Sequence, residues 1–298
     1  GIYVLLGWYF GMQNAVYPLL LTLFINLVNM GVSILLVLHY DLGVSGVAWG
    51  TVCAQFAGFL GGLAIIAWRY RPYLQAFRPA ELWEVSAFGR FLRVNGDIFL
   101  RTVCLTFAYA FFYSRSAAAG ALTLAANTIL YQFMIWMSYG IDGFAFAAES
   151  LVGKYKGAAD EHRLHRIIRR SFLWGGGFAL LLAGLYALNG PGILHLFTSE
   201  ARVVEAARPF LIWVALLPLL SFASFMWDGI FVGLTASRAM RNSMFLALAL
   251  FLGIYYLPTG AGNHHLWLAF TIYMTARGLF QGWLFWRKGT ALRYVIEN

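Results

Sequence analysis

Four carboxylates, Asp97, Asp142, Glu149 and Asp228, stand inside stretches of chain that are otherwise almost wholly apolar. An ionised group at the centre of a bilayer costs about 2.5–3.5 kcal/mol on insertion scales, so such residues face a bundle interior or a water-filled cavity. The chemistry open to them there is to hold a cation and release it. They are not equivalent. Asp97 and Arg101 are spaced i, i+4, about 6 Å apart along a helix, and read as a structural ion pair. Glu149 stands near the polar edge of its stretch. Asp142 lies about 15 Å inside that edge, with no basic residue three or four positions away. A carboxyl group at that depth with no fixed partner can exchange a proton or a sodium ion, as coupling to an ion gradient requires. Asp228 also lacks a local base, though it lies nearer the end of its stretch. Arg277 is a deep cation able to reach either acid; if it pairs with one, the other is left as the carrier.

Helical periodicity lines up further polar groups with these. At about 100° per residue, Asn127, Tyr131, Ser138, Asp142 and Glu149 fall within a stripe of about 60°. Asn95, Thr102, Thr106, Tyr109 and Tyr113 make a second stripe on the preceding apolar stretch. Asn26, Asn29 and Ser33 are spread along an earlier one, and Tyr273, Arg277 and Gln281 along the last. Hydroxyls and amides alone serve as glue between helices, at about 0.6 kcal/mol each. Together with the acids they read as the lining of a hydrated pathway.

The elements that must position these residues are membrane helices. Of the 298 residues 61% are hydrophobic and 11% charged, against about 25% charged in soluble domains, and the mean hydropathy is +0.71. The expectation is an all-α polytopic membrane protein with eight complete transmembrane helices, at 16–38, 43–68, 94–114, 120–150, 170–190, 204–232, 242–258 and 264–286. Each is near the roughly 20 residues that cross a bilayer core. The runs are continuous rather than alternating, which argues against a β-barrel. The opening "GIYVLLGWYF" is apolar but short, and reads as the stub of a further helix whose start is missing.

A net charge of +9 suggests nucleic acid until its distribution is examined. Sixteen of the 21 Lys and Arg fall in the turns after the second, fourth, sixth and eighth spans, against two, Arg115 and Arg202, in the opposite turns. That asymmetry is a positive-inside signal, so no nucleic-acid partner is expected. It puts residues 11–17, 69–93, 151–169, 233–241 and the C-terminus in the cytoplasm of an inner-membrane protein. The basic segment 153–170 reads as a helix lying along that surface. Cys53 and Cys104 both lie in spans and the six histidines show no metal-ligand spacing, so neither disulfide, metal nor cofactor is expected.

The polar segment 68–93 divides two spans from six. Gly11 in "YFGMQNAVYP" and Gly233 in "FVGLTASRAM" precede similar span–turn–span units, an internal echo with an offset of 222 residues. Repeated bundles are a transporter habit, with the substrate path at the repeat interface.

Several pieces, in order and spacing, carry a resemblance: "GWYFGMQNAVYP" (7–18), "INLVNMGVSILLV" (25–37), "GVSGVAWGTVCAQ" (43–55), "NGDIFLRT" (95–102), "LAANTI" (124–129), "YGIDGFAFAAESLVG" (139–153) and "WDGIFVG" (227–233). The chain resembles the multidrug and toxic compound extrusion (MATE) family, especially its DinF-like branch. That resemblance implies part of the N-lobe and the whole C-lobe of a twelve-helix bundle. Residues 1–68 would be the remnant of the N-terminal lobe, 69–93 the cytoplasmic connection and 94–298 the six-helix C-terminal lobe. The first three and a half helices would be missing, with the acidic residue of helix one. Ser33 stands where many relatives carry Asp.

The family exports organic cations and other amphipathic compounds in antiport with H⁺ or Na⁺, and the complete protein is expected to be a monomer surrounded by membrane lipids. A flippase for lipid-linked precursors, of the same superfamily, would line its cavity with several basic residues. An intramembrane lipid-modifying enzyme would need paired His and Asp or a metal cluster at one depth. The deep acids favour the exporter, a non-enzymatic reading.

Overall fold

A computed structural model describes residues 1–75, 85–257 and 262–287, and among them every regular element is a helix. The chain divides into two compact units, Gly1–Phe88 and Gly89–Asn298. The expected connection at 69–93 falls partly on 76–84, and the expected cytoplasmic C-terminus on 288–298, both outside the described residues.

The first unit holds α1 (Ile2–Gly11), α2 (Val16–Ile34, running into a π-helical turn at Leu35–His39), α3 (Gly43–Arg69) and the short α4 (Arg71–Gln75). Gly46, Gly50, Ala54, Gly58 and Gly62 recur every four residues on α3 and are buried. A methyl group at Gly50 would meet Ser33 Oγ at 2.1 Å, and one at Gly58 would meet Ile25 Cγ1 at 2.3 Å. Lipid offers no hydrophobic drive for helices to associate, so close backbone approach at small residues is what joins them. Tyr9 adds a hydrogen bond from its hydroxyl to the Gly62 carbonyl at 2.6 Å, fixing α1 to α3.

The second unit holds α5 (Val85–Ala118) from Gly89 onward, α6 (Ala121–Gly157), α7 (Glu161–Phe197), α8 (Ala201–Ala207), α9 (Leu211–Gly233), α10 (Ser237–Tyr255) and α11 (Asn263–Arg287). Around α9 the neighbours come in at glycines. A methyl at Gly229 would lie 2.3 Å from the Ala145 carbonyl oxygen of α6, and one at Gly233 2.5 Å from that of Glu149. Gly278 of α11 sits against the Ser224 backbone of α9, whose hydroxyl donates to the Met274 carbonyl. Gly175 of α7 packs on Met226. Trp267, Tyr273, Phe112, Phe133, Phe231, Phe251 and Phe270 fill the core between them.

Tight turns keep the long helices antiparallel neighbours in sequence. Gly120, at φ +112°, turns α5 into α6, a conformation that glycine adopts without steric cost. Asp160 accepts from the Arg163 N–H at 2.9 Å and caps α7. Thr235 turns α9 into α10 at φ +53°, costly for a β-branched residue. The Lys156 ammonium holds that turn, donating to the Leu234 carbonyl at 2.5 Å and to Thr235 Oγ1 at 2.6 Å. Its partial burial lowers the Lys156 pKa.

Two expectations change here. The segment 153–170 does not form a separate surface helix: α6 runs on to Gly157, α7 starts at Glu161, and a three-residue turn joins them. Four helical stretches, Val16–His39, Gly43–Arg69, Glu161–Phe197 and Ala201–Gly233, are long and apolar enough to cross a membrane by length and composition. The other four expected spans lie on α5, α6, α10 and α11, where polar and charged residues such as Asp97, Arg101, Asp142, Arg241 and Arg277 dilute the hydropathy.

Candidate functional site

One carboxylate gathers three donors. Asp228, on α9, accepts from the Arg101 guanidinium of α5, from Arg277 Nη2 of α11 at 2.6 Å and from Gln281 Nε2 of α11 at 2.7 Å. The helices bring these groups together through the glycine contacts that draw α11 onto α9. Arg277 is 2% exposed. Its guanidinium carbon lies 5.8 Å from the Phe225 ring centre and 5.9 Å from that of Tyr273, and Nη1 contacts Met274 Sδ at 3.4 Å. The Nε of both arginines and Gln281 Oε1 are buried without a partner.

Asp142, on α6, is half-buried and has no hydrogen-bond partner among the described residues. The charges of Asp228, Arg277 and Arg101 all reach it. Arg101, Arg277 and Asp228 together carry one positive charge in excess, and an ionised Asp142 neutralises it. Beside the cluster stands a cage of phenols. The Tyr109 and Tyr131 rings lie 5.6 Å apart edge to face, and Tyr113 and Tyr131 5.3 Å apart. Tyr109 feels the charges of Arg277, Asp228 and Arg101. Planar or cationic groups are held well by such faces.

The expected Asp97–Arg101 pair does not form. Arg101 turns to Asp228, and the nearly buried Asp97 accepts from Ser237 Oγ at 2.9 Å and Arg241 Nη1 at 2.5 Å, tying α5 to α10. The i, i+4 spacing allowed the pair, but Asp228 from α9 and Arg241 from α10 each engage one of the two residues instead. Arg277 goes to Asp228, which leaves Asp142 as the acid without a base.

The polar stripe on α6 is not uniform. Asn127 is fully buried and its amide is saturated: Nδ2 donates to Ser116 Oγ and Asn263 Oδ1, both at 2.7 Å, and Oδ1 accepts from Asn263 Nδ2 at 2.8 Å and Trp267 Nε1 at 2.9 Å. Asn127 is therefore a clasp between α5, α6 and α11, not a lining residue. Tyr131, Ser138 and Glu149 are half-buried, and Ser138 donates to the Ile135 carbonyl of its own helix at 2.8 Å. On α5, Asn95, Thr102 and Thr106 are exposed, and Asn95 and Thr102 bond the Phe91 and Ile98 carbonyls one turn back. In the first unit Asn26 is exposed, Asn29 donates to Thr51 Oγ1 at 3.0 Å, and Ser33 is packed against Gly50. Gln281, expected only on a polar face, and Arg241, counted only as a topology charge, complete the two charge networks, whose partners are remote in the chain.

The family model described as MatE matches residues 98–257. The chain is 35% identical over 294 residues to the DNA damage-inducible protein F of Escherichia coli (strain K12), covering 96% of this chain and 63% of that protein. Its fold is similar to a crystal structure of a MATE in the straight conformation (TM-score 0.85, 19% identity, 99% of this chain and 66% of that one). It is also similar to the Vibrio cholerae MATE transporter VcmN in the bent form (TM-score 0.82, 20% identity, 98% and 66%). The chain thus spans just under two thirds of the length of these proteins.

Proposed function

The chain belongs to the MATE family of multi-pass membrane transporters, and we propose from that premise that it forms part of an antiporter exporting organic cations or amphipathic compounds against H⁺ or Na⁺. The observation that carries this reading is the unpartnered Asp142 beside a cluster whose own acid is already engaged. With Asp142 ionised the cluster is neutral and can accept one cation. A proton or Na⁺ on Asp142 restores the positive excess and expels an organic cation. Two cations competing for one carboxylate exchange rather than travel together. Tyr109 and Tyr131 supply faces for the organic part of the substrate.

In this reading all eight expected spans cross the membrane, α5, α6, α10 and α11 turning their polar faces inward. Residues 1–68 belong to an N-terminal lobe, 69–93 to a connection, and 94–298 to a C-terminal lobe. The sixteen-to-two distribution of Lys and Arg places the connection and the C-terminus in the cytoplasm of an inner membrane. Glu149, Ser138 and Tyr131 line the approach to Asp142 on the same face of α6. The state proposed for the complete protein is a monomer among membrane lipids. A flippase for lipid-linked precursors would hold a pyrophosphate on free deep cations. Arg101 and Arg277 are both spent on Asp228, which favours the exporter.

The test is transport by the protein in proteoliposomes, following a fluorescent organic cation while proton and sodium gradients are collapsed separately. Export should stop with one of the two gradients, and Asp142→Asn should abolish it while leaving the melting temperature within a few degrees. Gradient-driven export that survives Asp142→Asn unchanged would remove this residue from the mechanism.

A further inference from the structure

The faces of α9 and α11 that carry the Asp228 network are backed, one residue on, by a groove. Asp228 follows Trp227, Arg277 precedes Gly278 and Gln281 precedes Gly282, and Trp227, Gly278 and Gly282 line a cavity of about 760 Å³ against α7. Its walls are Phe172, Leu173 and Phe222 on one side and Leu279, Trp283 and Trp286 on the other. Leu173, Leu279, Trp283 and Trp286 are each more than half exposed, so the groove opens sideways from the bundle. One end differs from the rest. There His165 and Arg169, a turn apart on α7, complete the lining, and Arg169 is exposed with no ion-pair partner among the described residues.

The floor holds a second polar feature. Trp227 is 6% exposed, yet its indole N–H has no acceptor among the described residues. On α11, Gly282 comes close to it, and a methyl there would lie 3.1 Å from Nε1. Glycine there keeps the donor reachable from the groove. Phe285 and Phe172 clamp the indole in place, with ring centres 4.9 Å from it on either contact.

We propose that this groove is a binding site for an anionic glycerophospholipid. The order of groups along it matches that molecule from end to end. Arg169 and His165 meet a phosphate at the basic end, where charged residues of α7 mark the edge of the apolar stretch. The Trp227 N–H meets an ester carbonyl below the phosphate. Phe172, Leu173, Phe222 and Leu279 meet the first part of the acyl chains, and Trp283 and Trp286 sit at the level where tryptophans mark the membrane interface. An organic cation is opposed by the two basic residues, and an inorganic anion leaves the apolar length unfilled. The inference needs the chain to lie in a bilayer but is independent of the ion or substrate transported. Because the same two helices carry the network and the groove, a lipid here presses on the back of the charge cluster.

The experiment uses the protein in neutral detergent, with lipid retention read by native mass spectrometry and melting by intrinsic fluorescence. Probes are a phosphatidylglycerol, a phosphatidylcholine of the same chains, and inorganic phosphate. One phosphatidylglycerol should be held about fivefold more tightly than phosphatidylcholine, as about 1 kcal/mol for the Arg169 contact gives, and should raise the melting temperature. His165→Gln with Arg169→Gln should erase that preference, Ala223→Leu should weaken both lipids by filling the floor, and Arg238→Gln, a basic residue outside the groove, should do neither. The lipid-free melting temperature of each variant reports whether it folded. Equal retention of the two lipids, a preference unchanged by the paired substitution, or stabilisation by inorganic phosphate as large as by phosphatidylglycerol would each overturn the proposal.

Discussion

Replacing Asp228 by Asn keeps the shape of the side chain and removes its charge, leaving Arg101 and Arg277 without their shared counter-ion. The site is dry: the Arg277 side chain is 3% exposed and that of Asp228 14%. Breaking a buried pair by removing one partner costs about 3–5 kcal/mol, because the remaining charge stays buried. Here two guanidiniums are stranded, and one carbonyl oxygen remains to accept from them. For a unit of this size about 1 kcal/mol shifts the melting temperature by about 2–4 °C, so Asp228→Asn should lower it by about 6–20 °C. The assay is thermal unfolding in detergent followed by tryptophan fluorescence. The argument also predicts a rescue. Adding Arg277→Met removes one stranded charge, fills its place between Phe225 and Tyr273 with an apolar chain, and should recover half or more of the loss. A comparison fixes the cause: Asp97→Asn frees Arg241, whose side chain is 28% exposed and can turn to water, so its cost should be about 1 kcal/mol. If Asp228→Asn melts within 2 °C of the parent, or the second substitution deepens the loss, the network is not held by charge and the reasoning fails.

The other expectations are narrower. Asn127→Leu removes a saturated amide and strands the Asn263 amide and the Trp267 N–H, at about 1–3 kcal/mol for each buried group left unpaired; the melting temperature should fall while the ion dependence of transport in the surviving protein stays the same. Changed coupling without destabilisation would return Asn127 to the pathway. Gly229→Val puts two methyl groups where a single one already meets the Ala145 carbonyl at 2.3 Å. α9 must then leave α6, and the variant should be recovered poorly or unfolded, whereas Gly143→Ala, which meets nothing within 4 Å, should be tolerated.

The sequence showed the helices and their order because apolar length survives without any knowledge of partners. It also showed that Asp142 lacks a local base, since a base in helical register is a short-range feature. It misassigned Arg101 for the same reason read in reverse. Spacing reveals which partner is near along the chain, while Asp228, 127 residues away, was brought nearer in space by glycines at 229 and 278. Asn127 shared a face with Asp142, and periodicity cannot distinguish an amide that lines water from one closed by Ser116, Asn263 and Trp267. The end of α6 was set short because Lys154 and Lys156 look like a helix leaving the membrane. Lys156 is instead bound to the α9–α10 turn, a contact between positions 78 residues apart. The groove behind Trp227 had no sequence signal beyond aromatic residues on three separate helices.

The way α6 is held bears on what a charge change at Asp142 can move. Asn127 fixes the helix to α5 and α11, the Tyr186 hydroxyl of α7 donates to the Phe133 carbonyl at 2.9 Å, and Lys156 anchors the other end. From Ser138 to Ala145 no side chain makes a hydrogen bond to another helix among the described residues. Within that interval stand Gly140 and Gly143, on either side of Asp142. Gly140 is required, since a methyl there would meet the Phe178 ring at 2.3 Å, but Gly143 is not. Each glycine inside a helix forfeits about 1 kcal/mol of helix preference relative to alanine, and sharp bends in helices gather at such places. α5, α9 and α11, by contrast, converge on one carboxylate and must move together or break it. In the proposed mechanism, a proton or cation arriving at Asp142 would change the charge on a stretch of α6 that is held to its neighbours by packing rather than by side-chain hydrogen bonds among the described residues, facing a cluster in which three helices share one carboxylate.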